Sequence, residues 1–335
     1  MIIQSIAGLL VFAGIAWCMS ENRKQASLKI AIIGIIIQLA VGLILLKLPI
    51  FREFFLFLNR LVLSLQAATT AGTSFVFGYL GGADLPFKEP FPGASFILAF
   101  RALPLVLLMS ALSALLFYWK ILPVVVKAFS WALQKTMGVG GAEGLGVSAN
   151  IFVGMVESPL FIRPYLKEMT RSEIFTLMTC GMATIAGTVM VLYASILSDK
   201  IPGVMGHILT ASIISVPAAI TISKIMVPET GEPTTGKLTA PDPASSSMDA
   251  ITKGTLQGVE LLINIIAMLV VLVALVYLAN LILGLFPDIG GKPITLQRLL
   301  GIIMAPIVWL MGVPWHETTT AGALMGTKTI LNELL

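Results

Sequence analysis

Six stretches of this sequence run for 17 to 27 residues without a charged side chain: 1–20, 30–46, 102–119, 174–198, 201–223 and 261–287. A helix needs about 20 mostly apolar residues to cross a bilayer. Only 11% of the chain is charged and 57% is hydrophobic, whereas a soluble domain is about 25% charged. With a mean hydropathy of +0.97, the chain cannot cover a water-soluble surface. The expectation is an all-α polytopic membrane protein with six spanning helices. Residues 1–20 lack the basic start of a signal peptide and are read as a true span.

Lysine and arginine set the orientation. If the first span runs from outside to inside, eleven of them fall on the inner side and seven on the outer. This places the N-terminus outside. The stretch 228–248, with Pro228, Pro233, Pro241 and Pro243 among Ser, Thr and Gly, then reads as a flexible inner linker. Residues 51–66 carry Arg52, Glu53, Asn59, Arg60 and Gln66 among Phe and Leu, the pattern of an amphipathic helix in the interface. Residues 121–137, with Lys127 and Lys135, read the same way.

Two apolar segments cannot span simply. Within 138–168, Gly154, Glu157 and Pro159 interrupt the helix, and the flanks 145–153 and 160–166 are each too short to cross. A re-entrant hairpin with its tip near Glu157 satisfies this pattern, because irregular backbone at membrane depth must be buried in protein or line a cavity. Such broken helices build transporter sites. The segment 311–335 repeats the theme. Met137-Gly138-Val139 and Met311-Gly312-Val313 are each followed by a glutamate, Glu143 or Glu317, six positions after the Met. Glu157 then corresponds to Glu333, and the architecture is an inverted repeat whose second copy is incomplete.

Other chemistries are excluded. The basic residues are scattered singly, so nucleic acid is not a partner. Cys18 and Cys180 read as apolar fillers, without metal-ligand spacing. His207 and His316 pair with no nucleophile, and no phosphate loop occurs, so neither an enzyme nor an ATP-driven pump is expected.

Several segments together resemble the concentrative nucleoside transporters: Gly72 to Gly82, Phe100-Arg101-Ala102-Leu103-Pro104, Asn150 to Pro159 continuing through Arg163 to Leu166, Gly181 to Thr188, and Asn332-Glu333. The resemblance implies a homotrimer in the plasma membrane, the inner membrane of a bacterium, taking up nucleosides by symport with Na+ or H+ through alternating access. It implies no cofactor beyond the coupling ion. It places N-terminal spans at 1–50, a scaffold at 51–137, a transport domain with the first hairpin and two spans at 138–227, an inner linker at 228–256, a scaffold span at 257–293 and the start of the second repeat at 294–335. Substrate contacts are implied at Glu157, Glu333, Val189, Met155, Val156 and Asn332. A Na+ site is implied at Asn150, Val153, Thr184 and Ile185.

Read from the residues alone, Asn150 is open to helix–helix hydrogen bonding and Thr184 to bonding its own helix. Glu157 is open to a salt bridge with Arg163 or Arg101. Two departures stand out. Met155-Val156 replaces a Gln-Thr pair able to hydrogen-bond a base, and the chain stops at Leu335, before the family's last two spans. The alternative reading is therefore a truncated fragment or structural subunit without transport of its own.

Overall fold

A computed structural model describes residues 2–90, 94–155, 158–198, 200–236, 244–288, 291 and 293–330. Among these the chain forms helices α1 (Ile2–Cys18), α2 (Leu28–Lys47), α3 (Pro49–Phe77), α4 (Leu98–Arg101), α5 (Leu105–Tyr118), α6 (Ile121–Met137), α7 (Gly141–Asn150), α8 (Arg171–Ala183), α9 (Gly187–Leu197), α10 (Val204–Met226), α11 (Ser247–Leu283), α12 (Leu296–Leu310) and α13 (Thr318–Ile330), and no strand.

Five helical stretches are long and apolar enough to cross a membrane: 29–47, 53–81, 98–118, 204–226 and 247–283. Four of them contain or overlap expected spans. Two sequence expectations are corrected. The amphipathic stretch 51–66 is only the first part of the 29-residue α3, because 67–77 contains no proline and its single Gly72 does not stop the helix. The apolar run 174–198 is not one span, since it breaks at 184–186 into α8 and α9. The 1–20 run gives the 17-residue α1. Large apolar side chains such as Val270, Leu275, Leu278 and Leu281 of α11 stand exposed, a surface suited to lipid rather than water.

The chain divides into two compact units, residues 16–262 and residues 1–15 with 263–335. In the larger unit two cores form. One joins α6, α7, α8 and α10 through Val126, Leu133, Val147, Leu177 and Ile220. The other joins α3, α5, α9 and α10 through Val62, Leu105, Met190, Val191 and Met205. α8 belongs to the first core and α9 to the second, so the break at 184–186 is where the chain passes between them. α6 turns Leu122, Val126, Ser130, Leu133 and Met137 inward, a spacing of three and four that marks one helix face.

In the smaller unit α12 and α13 meet through glycines. A Cβ on Gly322 would stand 2.6 Å from the Gly301 carbonyl oxygen, and one on Gly326 2.4 Å from Leu300 Cβ. This is close packing through a small-xxx-small pair. The two segments of similar sequence share a local plan. α6 ends at Gly138 with φ +68° and α12 is followed by Gly312 with φ +106°, and each leads into a further helix.

The expected linker 228–248 is not a free tether over its first part. After α10, residues 228–236 lie across the starts of α7 and α8. Thr234 donates its N–H to Glu173 Oε1 at 2.8 Å and its hydroxyl to Glu173 Oε2 at 2.7 Å. Its carbonyl accepts from the Ala142 N–H at 3.2 Å. Lys224, near the end of α10, pairs with Glu143 at 3.0 Å and Glu229 at 3.2 Å and donates to Ser172 Oγ at 3.2 Å. Arg171 and Glu21 add an exposed ion pair at the same end. Residues 237–243 of the linker lie outside the described residues.

Burial by itself would raise the Glu229 carboxyl, but the Gly231 N–H, the Thr170 hydroxyl and Lys224 together hold it below the usual glutamate value. A carboxylate with a lowered folded value adds stability that is fully present above its unfolded value and lost as the pH falls through the folded one. The difference in melting temperature between the chain and Glu229→Gln, measured in detergent, should stay constant above about pH 5.5 and close progressively below about pH 4.3. A difference that persists unchanged at pH 3 would refute this role of the carboxylate.

Candidate functional site

α7 starts at a buried acid and ends at a buried amide. Glu143 accepts from the Gly140 N–H at 3.1 Å, which satisfies one free donor of the helix start. Nine residues of α7, including Glu143 and Asn150, are buried. The chain then turns over 151–155, and a 3-10 helix runs over Ser158–Tyr165. Pro159 and Pro164 lack backbone donors and keep this arm from forming a regular α-helix. Ser158 ties the arm back by donating its hydroxyl to the Gly146 carbonyl. Phe152 packs edge-on against Phe129 of α6 at 5.7 Å, and Phe161 stacks on Phe117 at 4.6 Å. The expected break in this segment is therefore present, with its first helix somewhat earlier than the 145–153 flank.

α8 begins with a reciprocal cap. Thr170 Oγ1 accepts from the Glu173 N–H at 3.2 Å and the Glu173 carboxylate accepts from the Thr170 N–H at 2.9 Å. It ends at Thr184, whose backbone is extended. The ends of α7 and α8 come together. Asn150 Nδ2 donates to Thr184 Oγ1 at 3.1 Å, and Thr184 Oγ1 donates to the Cys180 carbonyl at 2.8 Å. Thr184 thus bonds its own helix and also meets Asn150.

Two glycines allow this approach. A Cβ on Gly187 would stand 2.4 Å from the Phe152 carbonyl oxygen, and one on Gly181 3.0 Å from Met155 Cβ. The Ile185 N–H points at Ser212 Oγ of α10, 3.4 Å away.

The electrostatics favour a cation. A helix C-terminus carries a partial negative charge and carbonyls without intrahelical partners, and two such ends converge at Asn150 and Thr184. A half-turn of the Asn150 amide presents its oxygen in place of Nδ2, giving an amide oxygen and a hydroxyl. An amide oxygen and a hydroxyl of this kind suit a hard ion such as Na+. Among the described residues no cluster of three His, Cys, Asp or Glu suits a transition metal.

Of the residues expected in the site, Asn150 and Thr184 are in contact. Val153 adjoins Phe152, which lies against Gly187, and Ile185 follows Thr184. Met155 is 58% exposed, and Val189 is half-buried in the first turn of α9. Val156, Glu157, Asn332 and Glu333 lie outside the described residues. Arg101 donates to the Tyr79 carbonyl at 3.1 Å, a structural contact. Sequence reasoning missed Ser212, one of three serines in α10 that nothing in the sequence sets apart. It also missed the buried Glu143, Glu173, Lys224 and Thr234, whose capping pattern at Thr170-x-x-Glu173 was legible. In the smaller unit a groove of about 770 Å³ between α11, α12 and α13 is lined mainly by apolar residues and holds none of the expected site residues.

Long apolar helices with exposed apolar faces, together with paired helix breaks, are the features of a broken-helix membrane transporter. Comparison with known proteins places it further. The description "Na+ dependent nucleoside transporter N-terminus" matches residues 7–80, "Nucleoside recognition" matches 99–200, and "Na+ dependent nucleoside transporter C-terminus" matches 207–335. The chain is 35% identical to the transporter YutK of Bacillus subtilis, over 100% of this chain and 80% of that one. It is 32% identical to the nucleoside permease NupC of Helicobacter pylori, over 99% and 78%. Among solved structures, CNTnw in an inward-facing substrate-bound state aligns with a TM-score of 0.88 at 32% identity, over 99% of this chain and 79% of that one. A doubly substituted CNTnw in an outward-facing state aligns with a TM-score of 0.89 at 32% identity, over 99% and 78%. This chain belongs to the Na+-dependent nucleoside transporter family, the concentrative nucleoside transporters. It is an integral membrane protein of a transporter family, not an enzyme.

The Gly187 contact gives a direct test. Gly187→Ala must displace the Phe152 backbone, and overpacking of this kind costs about 1–3 kcal/mol. The melting temperature should fall, whereas Gly14→Ala, whose added Cβ meets nothing within 4 Å, should leave it unchanged. Equal melting temperatures for the two variants would sink the close-approach argument.

Proposed function

We propose that this chain takes up nucleosides by symport with Na+ through alternating access, with Asn150, Thr184 and the carbonyls of Val153 and Ile185 as the cation ligands. The observation that carries this reading is the contact between Asn150 and Thr184 at two converging helix C-termini. The bound ion would hold the first hairpin against the α8–α9 break. Ion and nucleoside would then bind cooperatively, each raising the other's affinity. The family's Na+ dependence and the inward- and outward-facing structures of CNTnw support the same mechanism.

In this reading Glu157 and Glu333 accept charge-assisted hydrogen bonds from the ribose hydroxyls, Asn332 lies beside them, and Val189, Met155 and Val156 face the base. Met155 and Val156 cannot hydrogen-bond a base edge, so discrimination between pyrimidine and purine nucleosides should be weak. A site built for hydrogen bonds rejects the wrong ligand far more strongly than an apolar one. The working assembly is a homotrimer in the bacterial inner membrane with the N-terminus outside and residues 228–256 inside.

The test is uptake of radiolabelled uridine and adenosine into proteoliposomes under a Na+ gradient, a proton gradient, or neither. Saturable uptake that follows the Na+ gradient is expected. Asn150→Leu and Thr184→Val should each raise the Na+ concentration for half-maximal uptake by about tenfold or more, the effect of about 1.4 kcal/mol. Uptake that follows the proton gradient and ignores Na+ would overturn the choice of ion, and absence of uptake under both gradients would overturn transport by this chain.

A further inference from the structure

We propose that Lys224, Glu173 and Thr234 are positioning residues for the cation site, which they control from the far ends of the two helices that carry it. This inference rests on the Na+ site proposed above.

α7 and α8 begin in one cluster and end in one contact. At their starts, Thr234 is bonded to both. Its carbonyl takes the Ala142 N–H in the first turn of α7 at 3.2 Å. Its N–H and hydroxyl go to Glu173 in the first turn of α8, at 2.8 and 2.7 Å. Lys224 makes a second bridge, with its ammonium 3.0 Å from Glu143 of α7 and 3.2 Å from Ser172 Oγ of α8. The strap approaches so closely that a Cβ on Gly236 would stand 2.7 Å from Ala142 Cα, and one on Gly140 2.0 Å from Glu173 Oε1. Glu143 and Glu173 are each 0% exposed. At their far ends the same two helices present Asn150 and Thr184, 3.1 Å apart.

The helices have 10 and 13 residues, about 15 and 20 Å at 1.5 Å per residue. A helix this short is stiff along its axis, so a slip of one start relative to the other reappears at the far ends. Metal–ligand distances tolerate only about 0.2 Å, whereas bound organic groups tolerate about 0.5 Å. Loosening the clasp should therefore weaken Na+ binding before it weakens nucleoside binding. The cluster is costly to build, since burying charges carries a penalty that only close pairing offsets. No apolar packing alternative would set the axial register of two helix starts with the same directionality as these hydrogen bonds.

The test uses the full chain purified in detergent. Melting temperature is measured against NaCl, with choline chloride holding ionic strength constant, and the Na+-dependent rise is fitted for its Kd, the midpoint of site occupancy. Two variants are compared with the unmodified chain. Thr234→Val removes one hydroxyl, and Glu143→Gln with Lys224→Met removes the Glu143–Lys224 pair, leaving Glu229 to its hydrogen bonds from the Thr170 hydroxyl and the Gly231 N–H. In both, the midpoint should rise by about fivefold, the scale of one net hydrogen bond, while the uridine KM for uptake at saturating Na+ stays within about twofold. Should the double variant fail to fold, Thr234→Val alone decides. A uniform drop in melting temperature with an unchanged midpoint would mean a structural role only and would overturn the proposal. If the unmodified chain shows no Na+-dependent rise, the cation site itself falls and this inference falls with it.

Discussion

Lipid offers no hydrogen bonds, so every backbone group freed by a broken helix must find its partner inside the protein. That constraint organises the larger unit. The turn after α7 is held by Ser158 reaching the Gly146 carbonyl and by Phe152 packed on Phe129. The break between α8 and α9 is held by Thr184 on Cys180 and by Ser212 beside the Ile185 N–H. Each break is completed by residues from another helix, so neither can form without the fold around it. The same constraint leaves carbonyls without helical partners at the ends of α7 and α8.

The buried ions obey a related rule. Glu143 and Glu173 lie at the starts of α7 and α8, where free N–H groups and the positive end of each dipole favour carboxylates, and Lys224 reaches both starts from the last turn of α10. The sequence-similar glutamate of the other segment behaves differently. Glu317 is exposed and lies near His316. The shared Met-Gly-Val spacing therefore marks a shared turn, with a glycine at positive φ, and not a shared electrostatic environment.

Much of the helical plan was legible because apolar runs without charge have few alternatives. The break that follows Asn150 was legible because Gly154, Glu157 and Pro159 together interrupt a helix. The break at 184–186 was not, since Thr, Ile and Ala are ordinary in spanning helices and glycines such as Gly181 and Gly187 are common there. What breaks that helix is the passage from one core to the other, a tertiary cause. The length of α3 was missed because its polar first half set the reading, while the Ala, Thr, Gly and Ser of 67–77 carried the helix on. The strap was missed because its composition is that of a flexible linker. Its order depends on Glu173, 61 residues earlier than Thr234, and on Ala142. Asn150 and Thr184 were paired by resemblance to a family, not by any spacing in the chain.

The strap also sets a leash. With the chain fastened through Gly236, only the eleven residue steps to Ser247 separate the clasped helices from the start of α11. Fully drawn out, that length reaches about 40 Å at most. Any excursion of α7, α8 and α10 relative to α11 is bounded by that reach. Had the whole of 227–246 been free, the bound would have been nearly twice as long. The clasp therefore shortens the free chain between the clasped helices and α11 as well as joining the two helix starts.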